Sequence, residues 1–208
     1  MSANTESGAG STGWSPANPA PLGLAAFGIT TLFLSIQNAN LISANDLGTI
    51  SAVALVYGGI AQFFAGMWEF RTGNTFGAVA FTSFGAFWIS FYVVVNQQVP
   101  AIVVLPKAVV AVTLNSSLGA FLWVWGAVAL MLLLCSFASA RALSVLFVLL
   151  TITFILLAIG NSGGTSGTIH AGGYFGIATA AVALYIATAE IMKAQYGRWV
   201  LPIGAPGQ

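Results

Sequence analysis

Few side chains in this sequence can hold a charge or a proton, and most of those lie close to apolar runs. Glu69 and Glu190 stand near the ends of two such runs, with Arg71 and Lys193 close behind them. A carboxylate on a membrane helix is costly, so each is a candidate proton-linked group, or else a group that snorkels or pairs at the membrane surface. His170 is the one histidine and sits in a Gly/Ser/Thr-rich segment. Imidazole changes charge near neutral pH, so His170 is the third proton-linked candidate, against a purely structural role. Asn18-Pro19-Ala20-Pro21-Leu22-Gly23-Leu24 has the make-up of a helix start, with Asn as N-cap and Pro at the first helical position. The free N–H groups of such a start also suit a carboxylate, and both readings stand.

Neutral polar groups within the apolar runs form a second set. Gln62 precedes Glu69 by about two turns and falls roughly on the same face, deeper in the bilayer. Asn38, Asn40, Thr82, Ser83, Thr151 and Thr153 also lie inside apolar runs. Singly such groups join helices; together they can line a polar path. Phe27, Tyr57, Phe84 and Trp88 lie deep as well, facing either lipid or a hydrophobic constriction that gates by excluding water. No phosphate-binding glycine loop, dinucleotide fingerprint or nucleophile elbow is present. A lone cysteine, Cys135, and a lone histidine exclude disulfides within the chain and the usual multi-Cys or paired-His metal sites. The chain reads as a non-enzyme with no metal and no cofactor.

The elements that hold these groups follow from the apolar runs. They extend from about 22 to 41, 47 to 70, 76 to 95, 118 to 137, 142 to 159 and 174 to 192. Each is near the roughly 20 residues a helix needs to cross a bilayer, and none alternates as a barrel strand does. The expected fold is all-α: a polytopic membrane protein with six transmembrane helices bundled around a path. Segment 99–114 is apolar but interrupted by Pro106 and Lys107, and reads as a surface or partly embedded loop rather than a seventh helix. Residues 160–173 read as a loop. Residues 1–17 read as a flexible tail, 18–204 as the transmembrane domain and 205–208 as a C-terminal tail. Small residues at helix-packing spacing, Ala54/Gly58, Ala61/Ala65 and Ala183/Ala187, allow close helix contact.

Composition points the same way. Hydrophobic residues make up 58% of the 208, while charged residues make up 4%, against about 25% in soluble domains. So few charges cannot coat a water-soluble globule, which excludes a soluble enzyme and a nucleic-acid binder and makes the lipid bilayer the solvent. With six spans, Arg71, Arg141, Lys193 and Arg198 share the side of both termini, opposite Lys107. The excess of positive charge on cytoplasmic loops then places both termini in the cytoplasm of a cell with a plasma (inner) membrane.

The sequence resembles the acetate uptake transporter family, whose bacterial members are succinate–acetate permeases. The resemblance rests on the Asn18–Leu24 stretch above, Tyr57-Gly58-Gly59-Ile60-Ala61-Gln62, Gly73-Asn74-Thr75-Phe76-Gly77, and Ala80-Phe81-Thr82-Ser83-Phe84-Gly85-Ala86-Phe87-Trp88. It continues in Leu156-Leu157-Ala158-Ile159-Gly160-Asn161 and Gly197-Arg198-Trp199-Val200-Leu201-Pro202-Ile203-Gly204. It implies a homohexamer with one path per subunit, carrying acetate, with succinate or other short carboxylates, by proton coupling or as a channel. It also implies a hydrophobic constriction formed by Phe27, Phe84 and Leu150. Relatives commonly carry Tyr at the position of Phe84, so this ring lacks a hydroxyl. Asn18, Pro19, Asn38, Tyr57, Gln62 and Thr153 complete the expected set of path residues. A channel for small neutral solutes and a membrane sensor without flux are the alternatives.

Overall fold

The structure, a computed structural model, describes residues 14, 16–43, 47–98 and 107–205, with the backbone alone over 97–98 and 107–116. Six helices among these residues are long and apolar enough to cross a membrane. They are α1 (Ala20–Asn38), α2 (Leu47–Thr72), α3 (Thr75–Val93), α4 (Lys107–Ser136), α5 (Arg141–Asn161) and α6 (Ser166–Tyr196). Described asparagine, threonine and glycine residues punctuate them. Asn74 caps α3 by accepting a hydrogen bond from the Gly77 amide at 3.1 Å, and Gly73 ends α2 at a φ of 80°. Thr165 caps α6 by accepting from the Thr168 amide at 3.3 Å. An even number of spans returns the end of α6 to the face from which α1 starts, here called the terminal face.

The helices form a ring in which α1 packs on α6, α6 on α5, α5 on α4, and α2 on both α1 and α3. The α3–α4 side is the thinnest. Glycine makes the closest approaches possible. A Cβ on Gly173 of α6 would clash with the Ala39 backbone nitrogen, and one on Gly85 of α3 would lie 2.8 Å from the backbone nitrogen of Phe63. Without hydrophobic force between helices in lipid, such dispersion contacts carry the association. Ala54, Ala65, Ala183 and Ala187 are buried in these seams, as expected of small residues at that spacing.

Three boundaries differ from expectation. The segment read as a loop through 114 is helical from Lys107 onward and continuous with the fourth span. Residues 107–117 contain no glycine or proline to stop a helix, and residues 99–106 lie outside those described. The glycine-rich segment 160–173 is mostly helix, because α5 runs to Asn161 and α6 begins at Ser166. Its buried glycines meet neighbouring helices: Gly172 faces Leu157 and Gly173 faces Asn38 and Ala39. His170 is therefore a helical residue of α6. Finally, Asn18 is not the N-cap of α1. Pro19 holds that place, while the Asn18 carbonyl oxygen of the side chain accepts from the Ala20 amide at 3.0 Å.

Span α2 is irregular in the middle, where Ala54–Ala61 form a π-helix between α-helical ends. The wide turn presents Gly58 to Thr30 of α1 and Gly59 to Ile89 of α3. After α6 the chain folds back over the start of α5. The Arg141 and Ala142 amides donate to the carbonyls of Gly204 at 3.2 Å and Ile203 at 3.0 Å. Ile203 is buried beneath this strap, and the Tyr185 hydroxyl donates to the Pro202 carbonyl at 2.7 Å.

Candidate functional site

A cavity of about 980 Å³ opens into the bundle. On α1 its lining runs from Phe27 out to Asn38 and Asn40, on α3 from Phe84 to Val93, and on α5 from Leu150 to Asn161. Each set leads away from the terminal face. Ser117 to Leu122 of α4 and Ser166 to His170 of α6 line the far end. The cavity is thus a vestibule open toward the opposite face, with its floor at the level of Phe27, Phe84 and Leu150. These three side chains are all buried.

The floor is apolar and aromatic. The Phe27 and Phe84 rings lie 5.5 Å apart by centroid, and Phe84 is ringed by Phe154 and Trp125 at 6.3 Å and Phe147 at 6.4 Å. Such tilted and stacked rings fix one another and leave no hydrogen-bonding group on Phe84. Above the floor the wall is still largely apolar but carries several polar groups. Thr31 and Ser35 of α1 are buried, and the Thr31 hydroxyl has no hydrogen-bond partner among the described residues. Thr153 donates to the Leu149 carbonyl at 2.8 Å and lies 3.4 Å from the Thr179 hydroxyl. Asn38, Asn161 and His170 stand toward the mouth.

Of the path residues expected from sequence, the vestibule brings together Phe27, Asn38, Phe84, Leu150 and Thr153, with His170 among them. The others lie elsewhere. Gln62 is fully buried, and neither atom of its amide has a partner among the described residues. Tyr57 is half-buried beside the π-helical glycines. Glu69, Glu190, Asn18 and Pro19 gather toward the terminal face. Glu69 is 1% exposed, and its Oε2 accepts from Asn74 at 2.9 Å and from Thr72 at 3.1 Å, while Oε1 is unpartnered among the described residues. Glu190 accepts from the Asn18 amide nitrogen at 3.2 Å.

Thr31, Ser35 and Asn161 were not singled out from sequence, although a signal existed. Phe27, Thr31, Leu34 and Asn38 recur at helical spacing on α1, as Leu150, Thr153, Leu157 and Asn161 do on α5. Polar groups recurring with apolar ones on one helical face mark a face turned away from lipid.

A helical bundle around a vestibule that carries polar groups toward its mouth and is closed by an apolar floor defines a polytopic membrane protein built around a solute path. The chain belongs to the GPR1/FUN34/yaaH family, whose model matches residues 9–204. It is 43% identical over 189 residues to the succinate-acetate/proton symporter SatP of Escherichia coli K12, covering 90% of this chain and 95% of the relative. It is 37% identical to acetate permease A of Emericella nidulans over 196 residues, covering 90% of this chain and 65% of that one. It is 38% identical to the Saccharomyces cerevisiae ammonia transport outward protein 2 over 180 residues, covering 86% and 63%. Among solved structures it is similar to the bacterial acetate channel SatP, with a TM-score of 0.82 and 40% identity over 91% of this chain and all of that one.

Proposed function

We propose that this protein carries acetate and related short carboxylates, succinate included, across a cell membrane, through one path in each subunit. The observation that carries the reading is the vestibule itself, a largely apolar cavity whose scattered polar groups lead from the mouth to the apolar floor of Phe27, Phe84 and Leu150. Relatives named for acetate and succinate transport support the choice of solute.

The floor decides the form in which the acid crosses. Moving a bare carboxylate into an apolar ring costs several kcal/mol even after relaxation. Protonating a simple carboxylate at pH 7 costs about 4 kcal/mol, and less as the pH falls. Protonation also removes the charge altogether, so the neutral acid is the cheaper traveller. Acid and proton then cross together, and a pH gradient drives accumulation. Polar groups of the wall, Thr31 and Thr153 with Asn38, hold the carboxyl before it sheds water. Toward the terminal face Gln62, Glu69, Glu190 and the Asn18–Pro19 helix start receive the solute and its proton.

The reading extends to setting. The protein sits in the plasma (inner) membrane with both termini cytoplasmic, because Arg71, Arg141, Lys193 and Arg198 mark that face. It functions as a homohexamer, and it is a transporter rather than an enzyme.

Labelled-acetate uptake into proteoliposomes tests the proposal. With the vestibule side acidic, uptake should exceed both the protein-free leak of acetic acid and the flux without a gradient. Uptake equal to the leak would overturn it. A path for neutral solutes is the second reading, favoured by the relative named for outward ammonia transport. Ammonia flux without acetate flux would establish it instead.

A further inference from the structure

Among the described residues that line the vestibule, His170 is the one titratable side chain. Among the described residues, the helices that pack around it place no other charged side chain in the lining. Its own helix meets α1 where Gly173 touches Asn38 and Ala39, and meets α5 where Gly172 touches Leu157. The polar side chains that the ends of α1 and α5 and the residues just after α1 contribute to the mouth are Gln37, Asn38, Asn40 and Asn161, all neutral. Tyr174, one turn further along α6, is exposed. Asp46 and the Lys107 side chain lie outside the described residues. His170 is half-buried, so any charge it carries is partly shielded from water and acts on what enters the cavity.

We propose that His170 is a carboxylate-recruiting site at the vestibule mouth, whose imidazolium form draws the anion in and so couples solute capture to the pH of that side. The inference rests on the transport reading above and adds the capture step. In a partly wet cavity an imidazolium within several ångströms of a carboxylate changes apparent affinity roughly three- to tenfold. The neutral imidazole offers only a hydrogen bond. Imidazoles change charge between about pH 5 and 8, the range in which the acid is still mostly ionised in solution. Recruitment of the anion at the mouth and protonation before the floor then work in sequence.

His170 is the chain's single histidine, so its imidazole gives an isolated NMR signal in full-length protein purified on a histidine-free tag. Titrating that signal with sodium acetate present, against sodium chloride at equal ionic strength, reads the coupling directly. A fivefold preference of acetate for the imidazolium form raises the titration midpoint by about 0.7 pH unit at saturation. Acetate flux into proteoliposomes is measured on the same preparation. A midpoint that acetate leaves unmoved overturns the site, whether or not flux occurs. A raised midpoint without flux supports the site and overturns the transport reading. In the flux assay the ratio of acetate KM between His170→Gln and wild type should be near one on the alkaline side of the midpoint that the NMR titration reads and about five on its acidic side. His170→Lys, which keeps a charge throughout, should hold a low KM on both sides. A ratio that stays constant with pH in both variants overturns the proposal.

Discussion

Replacing Leu150 by Ala perturbs the floor with little else changed. Leu150 is 3% exposed, on α5, one turn before Phe154 and beside the Phe84 cluster. The substitution removes three carbons, each worth about 0.8 kcal/mol of burial. Full Leu→Ala losses in closed cores reach about 2–5 kcal/mol because a new cavity is left behind. Leu150 already borders a cavity, so the cavity contribution is small and the cost should stay near 2–3 kcal/mol. The bundle survives that loss. Solute selection responds in the opposite direction. One methylene of misfit in an apolar constriction is worth about 1–3 kcal/mol, or 10–200-fold. Three missing carbons relieve at least one methylene of misfit, so flux of butyrate relative to acetate should rise at least about tenfold. Competitive uptake of the two labelled acids into proteoliposomes measures the ratio, with size-exclusion profiles confirming that the variant is folded. A ratio equal to wild type, with acetate flux retained, would refute Leu150 as part of the narrowest point.

Other substitutions test the framework that holds the floor. Asn74→Ala removes the α3 cap and one of two partners of the buried Glu69 Oε2, and should cost about 2–4 kcal/mol, seen as a lower melting temperature in detergent. Gly173→Ala drives a methyl into the backbone of Asn38 and Ala39 at the end of α1 and should prevent recovery of folded protein, whereas Gly48→Ala, with nothing within 4 Å, should purify like wild type. Ile203→Asp sets a carboxylate under the C-terminal strap where the side chain is 4% exposed. It should free the first turn of α5 to proteolysis near residues 203–205, while a conservative Ile203→Val should not.

The six spans were legible because lipid leaves a simple record: an apolar run long enough to cross, with every backbone group satisfied by its own helix. Their ends were harder to read, and glycine shows why. Residues 160–173 carry the composition of a loop in water, yet Gly172 and Gly173 lie at helix contacts in the bundle. A glycine that allows close approach and one that breaks a helix look alike without knowledge of the neighbour. The same limit applied to the site. Phe27 and Phe84 were marked as deep aromatics, but whether they faced lipid depended on the ring order of the helices, which periodicity alone does not encode. Leu150 entered through family resemblance, since a leucine in an apolar run carries no signal of its own. Thr31 and Ser35 were obscured because a hydroxyl on a membrane helix commonly bonds back to its own backbone, as Thr30 does to Ala26 at 2.8 Å.

The distribution of fixed charge gives the path its character. None of the described lining residues is arginine, lysine, aspartate or glutamate, although a planar guanidinium is the strongest partner for a carboxylate. Strength is the difficulty. A path must bind well enough to admit a solute and weakly enough to release it, and a desolvated arginine fork at the floor would hold the anion there. Hydroxyls of the wall offer weaker bonds, and a histidine at the mouth offers a charge that can be switched off. The two buried or half-buried glutamates stand beyond the floor, toward the terminal face, where a carboxylate would repel an arriving anion but accept a proton from an arriving acid. On the proposed reading, a switchable cation, neutral polar groups, an apolar ring and then carboxyl groups suit an acid that enters as an anion, crosses as a neutral molecule and gives up its proton on the far side.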